Sequence, residues 1–526
     1  MPKQLTKQTL FEILSSRFDR EKKLSEIPNP ALLQDGTKAA KRIAHAIKTK
    51  QKITLVGDYD VDGVSSSAIM VEFFRLIPYP LKVVIPNRFK DGYGVSASVL
   101  ERIEADLIIT VDNGISAIEA AEICKNRNID LIITDHHTPS DTLPHAMAIV
   151  NPKLPTCQYP FKEICGAEVA WLVLALVKKE LKLNINMKEF LDILALAIIA
   201  DIMPLIDINR TLVKEGLKIL MSSNRPSSII IRDFLNKSKI SSEDIAFQIA
   251  PRLNSAGRLE DASIALDFLT AQNTHEAYLG FEKLNSLNEL RKETEATCTK
   301  EAILKADPHA NVIVVAGKNW HEGVVGIVAS RLVEHFSKPA IILSIKDGIA
   351  KGSARSLGEV NIYELIKENE KFLLKFGGHK MAAGLSLKED DIKEFTHAIN
   401  KSASKLDADD FKVKESITGI FNIDDIDFEL LDLLEQFEPY GEANQRPTFM
   451  FKDAYVTNVK LMGKDKSHSK IEIKESPHAI KSVEIIAFKT IYEIPKNKKI
   501  TCSYKIAKNE FNKRTTIQFL SDKIYL

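Results

Sequence analysis

Cysteine is scarce in this sequence: five thiols in 526 residues, odd in number and scattered (Cys124, Cys157, Cys165, Cys298, Cys502), with no Cys-x-x-Cys pair. That argues against a disulfide framework or a thiolate zinc site and favours a reducing compartment. Long apolar runs are missing too. The longest, Ile193 to Ala200, falls far short of the roughly 20 residues a membrane span needs. The opening MPKQLTKQTLFEILSSRF has no continuous apolar core of the signal-peptide kind. A soluble, cytoplasmic protein without a membrane part is expected. Excess charge of either sign is also absent, since 72 Lys and Arg meet 71 Asp and Glu. A surface basic all over is thereby excluded, and any polyanionic partner must meet a focused patch. One such patch lies in residues 452–526, where sixteen basic residues face eight acidic ones; a lysine-rich solvated face is the plain alternative. With 44% hydrophobic and 27% charged residues, the chain is of ordinary globular composition, and its length suggests roughly three or four domains.

What is present is an alternation of short apolar strands and helical stretches. From residue 52 to about 205 the strands read ITLV (53–56), KVVI (82–85), DLIITV (106–111) and DLIIT (130–134), with SSSAIMVEFFRLI and SAIEAAEICKNRN between them. This spacing predicts βαβ units around a parallel sheet covered on both faces. Residues 160–240 read as mostly helical. Residues 274–306 contain no proline and many helix formers, and predict a long connecting helix ending before Asp307-Pro308. A second, smaller α/β unit follows over 307–402: NVIVVAG, a helix through VGIVASRLVEHF, AIILSI and a glycine-rich KFGGHKMAAGLSL. The polar stretch 402–412 reads as a linker. Residues 413–526 then hold strand-like pieces (TFMF, AYVTNVKLM, SKIEIK, SVEIIAFK, KITCSYKIA, TTIQFL) that predict a small all-β barrel or sandwich. The expected class is multidomain α/β with a C-terminal β unit, and residues 1–51 form an N-terminal segment.

Three of the predicted strands run straight into acidic or histidine clusters. ITLV leads to Gly57-Asp58-Tyr59-Asp60-Val61-Asp62-Gly63, DLIITV to Asp112-Asn113-Gly114, and DLIIT to Asp135-His136-His137. Ligands of open α/β sheets bind outside the carboxyl ends of the strands, so the three should converge. A fourth carboxylate, Asp201, directly follows the apolar run ILALAIIA and needs a partner or a metal there. Six aspartates in one cleft repel one another strongly unless cations neutralise them. Carboxylates with one or two imidazoles suit Mg²⁺ or Mn²⁺ better than a soft ion. Two such ions about 3.5–4 Å apart would bind a phosphoryl oxygen and stabilise its leaving oxygen.

GDYDVDG, VDNGIS, DHHTP and ADIMPL resemble the four motifs of the DHH phosphoesterase superfamily, and GGHKMAAGLSL resembles the GGH motif of its DHHA1 substrate domain. IPNRFKDGYG, PRLNSAGR, WHEGVVGIVASRL and GSARS are similar to those of the superfamily's single-strand-specific 5′→3′ exonucleases. The resemblance runs from about residue 52 to the C-terminus. It implies a DHH catalytic domain with a helical extension (52–273), the long helix, a DHHA1 domain and an OB-fold. It also implies two divalent cations, with Asp112 bridging them. Asp60 would serve one ion, and Asp62, His136 and Asp201 the other. Asp58 is either a further ligand or a partner behind the ligands. His137 would contact the scissile phosphate or act as general acid, and Asp135 would orient a histidine or merely cap its strand. Two departures stand out. Ala197-Ile198-Ile199-Ala200-Asp201 replaces the usual Gly-Thr before the last aspartate, and the sequence stops after the presumed OB-fold where some relatives carry a further domain.

The same resemblance places Arg88 and Tyr93 on the substrate, one for a phosphate and one for base stacking. Arg252, Asn254 and Arg258 would reach the strand near the metals. Ser353 and Arg355 would hold the 5′-terminal phosphate beside the small-residue site of Gly377, Gly378 and His379. His321 is either a substrate contact or structural, and Trp320 reads as core. Tyr440, Arg446, Phe449 and Lys470 are candidate contacts of the OB-like unit. The implied activity is metal-dependent release of 5′-mononucleotides from single-stranded DNA in recombination and repair, by a monomer supplied by a helicase and aided by single-strand-binding protein. Two rivals stay open: a hydrolase of short RNAs, pAp or cyclic dinucleotides, and an inactive relative that only binds single strands.

Overall fold

The computed structural model describes residues 2–18, 20–413, 416–463, 466–488, 490–511 and 514–525. Strands β1 (Ile53–Gly57), β2 (Leu81–Val84), β3 (Leu107–Val111), β4 (Asp130–Thr134) and β5 (Ala148–Val150) pair all in parallel in the order β2-β1-β3-β4-β5. Every residue of β1 and β3 is buried, which is why both read as unbroken apolar runs rather than as alternation. The chain leaves β1 toward one edge of the sheet and β3 toward the other. The carboxyl ends of β1 and β3 therefore flank a switch point, where open sheets bind ligands. β5 spans three residues, too few to carry a signal of their own. The apolar run Ile193–Ala200 lies in the helix Leu191–Ala200, of which all but the last residue is buried, so its hydrophobicity serves the domain core.

The proline-free run forms one helix, Thr274–Lys305, of 32 residues, about 48 Å long at 1.5 Å per residue. Asn273 caps it by accepting the Glu276 N–H at 2.9 Å. Beyond it lie β6 (Ile313–Lys318), β7 (Ala340–Lys346), β8 (Ile349–Arg355), β9 (Leu373–His379) and β10 (Ala382–Lys388), ordered β6-β7-β8-β10-β9 with only β6 and β7 parallel. The last unit is a closed barrel, β11-β12-β13-β15-β14, built from β11 (Phe449–Met462), β12 (His468–Lys474), β13 (Val483–Ala487), β14 (Lys499–Phe511) and β15 (Arg514–Tyr525). TFMF and AYVTNVKLM, which read as two strands, belong to one. Its register shifts between Phe451 and Ala454, an irregularity that bends a strand around a small barrel.

The N-terminal segment divides between two cores. Leu5, Leu10 and Leu14 are buried with Phe421, Leu430 and Phe449 of the barrel unit, whereas Leu33, Ala39 and Ile43 pack under the first sheet. Backbone bonds fix the docking: the Leu5 N–H donates to the Ile420 carbonyl at 2.8 Å and the Ile420 N–H to the Lys3 carbonyl at 2.9 Å. Among the described residues no helix is long and apolar enough to cross a membrane.

Candidate metal centre and nucleic-acid interface

The site is assembled from tight turns at the strand ends. Asp58 directly follows β1. Asp60 caps the helix Val61–Leu76, its Oδ1 accepting the Gly63 N–H at 3.1 Å. Asp112 directly follows β3 in a left-handed conformation, φ 61°. Asn113 fixes that turn: its amide donates to the Val56 and Val111 carbonyls at 3.0 and 2.9 Å, and its oxygen accepts the Val95 N–H at 3.1 Å. Both Asp62 oxygens accept backbone N–H groups, of Gly166 at 2.6 Å and Ala167 at 2.9 Å, at the positive end of the helix Gly166–Leu181. A Cβ on Gly166 would stand 2.5 Å from that of Asp112. Only glycine lets this helix end come so close.

Around the His136 ring the carboxylates converge. Its Nε2 lies 3.2 Å from Asp112 Oδ1, 3.6 Å from Asp62 Oδ2 and 3.6 Å from Asp201 Oδ2. Three ligand-sized groups result: Asp58–Asp60–Asp112, Asp112–His136–His137 and Asp62–His136–Asp201, each with its donor atoms within 4.8 Å of one another. Asp112 and His136 are shared between groups, the arrangement two neighbouring ions require. Asp112 Oδ1, Asp201 Oδ2 and His136 Nδ1 are buried without a hydrogen-bond partner, so two of the site's oxygens are left to be satisfied by something the chain does not supply. Burial, and then the neighbouring carboxylates, push Asp58, Asp60 and Asp112 above the usual carboxylate range and Asp201 up to about 8. Burial keeps His136 neutral, the form that ligates. This set of oxygens with one imidazole fits hard divalent cations. Ile198, at the position of the usual motif threonine, is fully buried and leaves the Asp201 carboxylate within the cluster.

Asp135 belongs to none of these groups. Its Oδ1 accepts the His136 N–H at 2.7 Å, the His137 N–H at 3.0 Å and His137 Nδ1–H at 2.8 Å, and its Oδ2 accepts the Ile115 N–H at 2.9 Å. Both oxygens are spent inside the protein, so Asp135 stands behind His137 rather than at the reacting atoms. Burial works against charging His137, but the hydrogen bond and charge of Asp135, joined by Asp58 and Asp201, raise it to about 9. Its side chain is 44% exposed, leaving a charged imidazole at the mouth of the cluster.

Cationic groups stand close to the cluster, Arg88 within reach of the Asp58 charge and Arg258 of the Asp60 charge. Arg88 lies over the Tyr59 ring at 4.3 Å. Tyr93, 48% exposed, stands edge-on to Tyr59 at 6.0 Å and to His137 at 6.2 Å. Asn254 accepts the Val61 N–H at 3.3 Å. Arg258 donates across the domain boundary to the Gly323 carbonyl at 3.4 Å. A Cβ on Gly323 would fall 1.9 Å from the Arg258 carbonyl oxygen, so the two domains touch through a glycine. Burial and the like charges of Arg88, Arg291 and Arg355 lower Arg258 to about 10. Arg88, Arg258 and Arg355 have no ion pair among the described residues, while Arg291 pairs with Glu295 at 2.8 Å.

In the second domain Arg355 Nη1 donates to Ser353 Oγ at 2.8 Å. A Cβ on Gly326, in the first turn of the helix Val325–Phe336, would come 3.0 Å from Arg355 Nη2 and 3.2 Å from Ser353 Oγ. Two cross-strand rows continue this surface: Ser353–Gly384–Gly377 and Arg355–Ala382–His379, with Gly378 opposite Ala383. His321 Nδ1 accepts the Gly323 N–H at 3.1 Å, and its ring meets the edge of Phe89 at 5.2 Å. Trp320 is buried and donates to Glu301 Oε2 at 2.9 Å.

Other expected contacts lie elsewhere. Arg252 stacks on Phe234 at 4.3 Å and bonds to Asn285 at 2.6 Å and to the Gln248 carbonyl, which commits its guanidinium to helix packing instead of the metals. Tyr440 and Phe449 are buried in the barrel core. Arg446 is held by Glu243 at 2.9 Å and lies over Tyr440, joining the barrel to the first domain. Lys470 pairs with Glu484 at 2.5 Å. Sequence reasoning did not single out Asn113, Gly166 or Gly323 as site residues. Asn113 stood inside a recognised motif, whereas nothing local marks the two glycines.

Residues 52–198 match the model of the DHH family, N-terminal domain, 309–405 that of the DHHA1 domain and 417–523 that of the RecJ OB domain. The chain is 35% identical over 520 residues to the single-stranded-DNA-specific exonuclease RecJ of Bacillus subtilis, covering 96% of this chain and 65% of that one. It is 34% identical to the Haemophilus influenzae protein of the same name, over 96% and 93%. Thus the chain spans about two thirds of the first relative's length and nearly all of the second's. The Thermus thermophilus RecJ structure with Mn²⁺ superposes with a TM-score of 0.79 at 29% identity, covering 95% of this chain and 73% of that one. With Mg²⁺ the score is 0.74 at 26% identity, over 94% and 70%. Identity of this extent, carried through three domains in one order, makes the chain a member of the RecJ family.

Proposed function

We propose that the chain is a divalent-metal-dependent exonuclease that degrades single-stranded DNA from its 5′ end to 5′-mononucleotides. The observation that carries this reading is a buried acidic cluster with two oxygens lacking hydrogen-bond partners, close to the guanidiniums of Arg88 and Arg258, which like Arg355 have no ion pair among the described residues. Such a site accepts a polyanion only where metals neutralise its carboxylates. In this reading Asp58, Asp60 and Asp112 serve one ion, and Asp112, Asp62, His136 and Asp201 the other. Bound Mn²⁺ or Mg²⁺ supplies activation of a water and neutralises the charge developing on the phosphate.

The chain's own residues do the rest. Ser353 and Arg355, with backbone N–H groups of the adjoining helix end, hold the 5′-terminal phosphate and so set polarity. Arg88 and Tyr93 fix the first nucleotide, with Asn254 and Arg258 on the backbone beside it. Water oxygen bonds to the phosphorus between the first and second nucleotides while the bond to the 3′-oxygen breaks. His137, charged and oriented by Asp135, gives that 3′-oxygen its proton. The shortened strand again carries a 5′-phosphate, ready for the next cycle. Action as a cytoplasmic monomer in recombination and repair, with a helicase and single-strand-binding protein supplying the strand, belongs to the same reading.

The test is a strand labelled separately at each end, incubated with Mn²⁺ and wild type or Asp112→Ala. Expected is immediate mononucleotide release from the 5′ label, lost by at least about a thousandfold in the variant, as when groups that act as one catalytic unit are broken. Cleavage starting at the 3′ label, or of dinucleotides alone, overturns the reading.

A further inference from the structure

Asp112, Asp62 and His136 are held in place by the first domain alone. The Asp112 N–H donates to the Thr134 carbonyl at 3.0 Å, both Asp62 oxygens accept N–H groups of the helix Gly166–Leu181, and Asp135 accepts the His136 N–H. Asp201 is placed differently. Its Oδ2 lacks a hydrogen-bond partner, and its side chain is 26% exposed, against 1% for Asp112 and Asp62 and 7% for His136. Ile202, next in the chain, is held at φ 56°, a left-handed conformation that a β-branched residue keeps only where its surroundings impose it. As far as Met203, whose N–H donates to the Ile198 carbonyl at 3.1 Å, the backbone is tied to its own helix. The next tie is to the barrel unit. Leu205 donates its N–H to the Glu442 carbonyl at 2.8 Å, and a Cβ on Gly441 would fall 2.7 Å from Leu205 Cδ1. In the following helix, Asp207–Ser222, the buried Arg210 guanidinium donates to the Phe437 and Glu438 carbonyls, each at 2.9 Å, and to that of Pro439 at 3.3 Å. Asn444, fully buried, closes this turn from inside by donating to the Phe437 and Pro439 carbonyls at 2.9 and 2.8 Å. Phe437 and Tyr440 lie in the barrel core, so the turn is part of the barrel unit.

We propose that the turn Phe437–Asn444 positions Asp201, acting through Leu205 and Arg210, so that the ion shared by Asp62, His136 and Asp201 is held tightly only while the barrel is seated on the first domain. This rests on the two-ion assignment of the exonuclease reading and adds positioning residues to it. Three carbonyls converging on one guanidinium make a stiff joint, because the planar fork is already shaped to reach several acceptors. Between that joint and its own helix, the loop Asp201–Ile206 is clamped at both ends, which leaves the unbonded carboxylate one place to stand. Releasing the turn lets Leu205 and Ile202 relax, and the ion then loses one of its carboxylates. Linkage makes the effect reciprocal: the bound ion favours the seated barrel as much as the seated barrel favours the ion.

Mn²⁺ alone, titrated into the metal-free full-length protein and followed by electron paramagnetic resonance, reads the two ions separately, since a neighbouring pair couples and a single ion does not. Two ions are expected in the wild type. Arg210→Lys has one nitrogen that cannot span the three carbonyls, and Gly441→Ala has a methyl that displaces Leu205. Each should take one ion as the wild type does and the other at least about tenfold more weakly, the scale of loss when groups behind metal ligands are removed. At limiting Mn²⁺ both variants should cleave single strands slowly. Added Mn²⁺ should restore the rate with KM for the strand unchanged, a rescue that a misfolded protein does not show. Glu243→Gln weakens the Arg446 contact elsewhere in the same interface and should bind both ions like the wild type. Wild-type affinity for both ions in Arg210→Lys and Gly441→Ala, or an equal loss in Glu243→Gln, overturns the proposal while leaving the exonuclease reading intact. Two bound ions without cleavage by the wild type sink the exonuclease reading alone, and a single bound ion in the wild type overturns the two-ion assignment and this proposal with it.

Discussion

At the scale of single residues, the site separates two histidines that the sequence presents as a pair. His136 is buried and neutral among Asp62, Asp112 and Asp201, whereas His137 is gripped by Asp135 and charged. The hydrogen bond and charge of Asp135 contribute most to raising His137, joined by Asp58 and Asp201, and the Asp135 charge can be removed with little change of volume. Asp135→Asn takes away the charge that raises His137 to about 9, letting it fall toward its ordinary 6.5. The alkaline limb of the pH–rate profile is then expected to move to lower pH, because the proton donor is lost at lower pH. A profile whose alkaline limb stays in place would remove His137 as the acid. The family resemblance assigned Asp112 to the ions and left Asp135 between orienting a histidine and capping its strand; the local pattern of the residues does not separate the two. Asp135 and Asp112 both follow apolar strands, and only the backbone turn after each decides where the oxygens point.

At the scale of elements, the first helix, Lys7–Ser15, belongs to the last domain. Leu10 and Leu14 are fully buried against the barrel unit, closing a core that would otherwise face water. Leu10→Ala is expected to destabilise the barrel by about 2–5 kcal/mol, the cost of a leucine-sized cavity. Hydrogen exchange in β11–β15 reads this out domain by domain, and unchanged protection would mean that the helix is only a tether. Residues 1–51 read only as an N-terminal segment, because the helix's partner lies some 400 residues away in sequence. The strands of the first sheet were legible for the opposite reason: full burial on both faces writes an apolar run into each. The barrel's β11 was misread as two strands because its bulge places polar residues in mid-strand.

At the scale of the whole molecule, a chain of near-zero net charge gathers buried carboxylates at its strand ends, with the Arg88 and Arg258 guanidiniums close by and without ion pairs among the described residues. Without metal these carboxylates oppose folding. Asp201, ordinarily at 3.8, is raised to about 8 by burial first and by Asp62 and Asp60 next. The folded form therefore holds a proton that the unfolded chain releases. That contribution to stability is complete below about 4 and is lost as pH rises through about 8. In the chelated protein Tm is expected to fall across this interval, and Mn²⁺ should flatten the dependence by replacing protons as the neutralising charge. A metal-free Tm that rises with pH over the same range would contradict this account of the cluster.

By itself the sequence determined the two α/β units, the β barrel, the long helix and the residue types of a divalent-metal site, because each is written in local periodicity or in short motifs after apolar strands. Tertiary structure decided between the two roles left to Asp135, whose oxygens go to His137 and backbone N–H groups, because that depends on the backbone turn after each strand. It decided that Arg252, Tyr440, Arg446 and Phe449 spend their side chains on packing and domain contacts. It also decided that Phe247 and Ile202 are exposed while most of their apolar neighbours are buried. An apolar residue reads the same in a sequence whether it is buried or exposed, and only the surrounding fold tells the two apart.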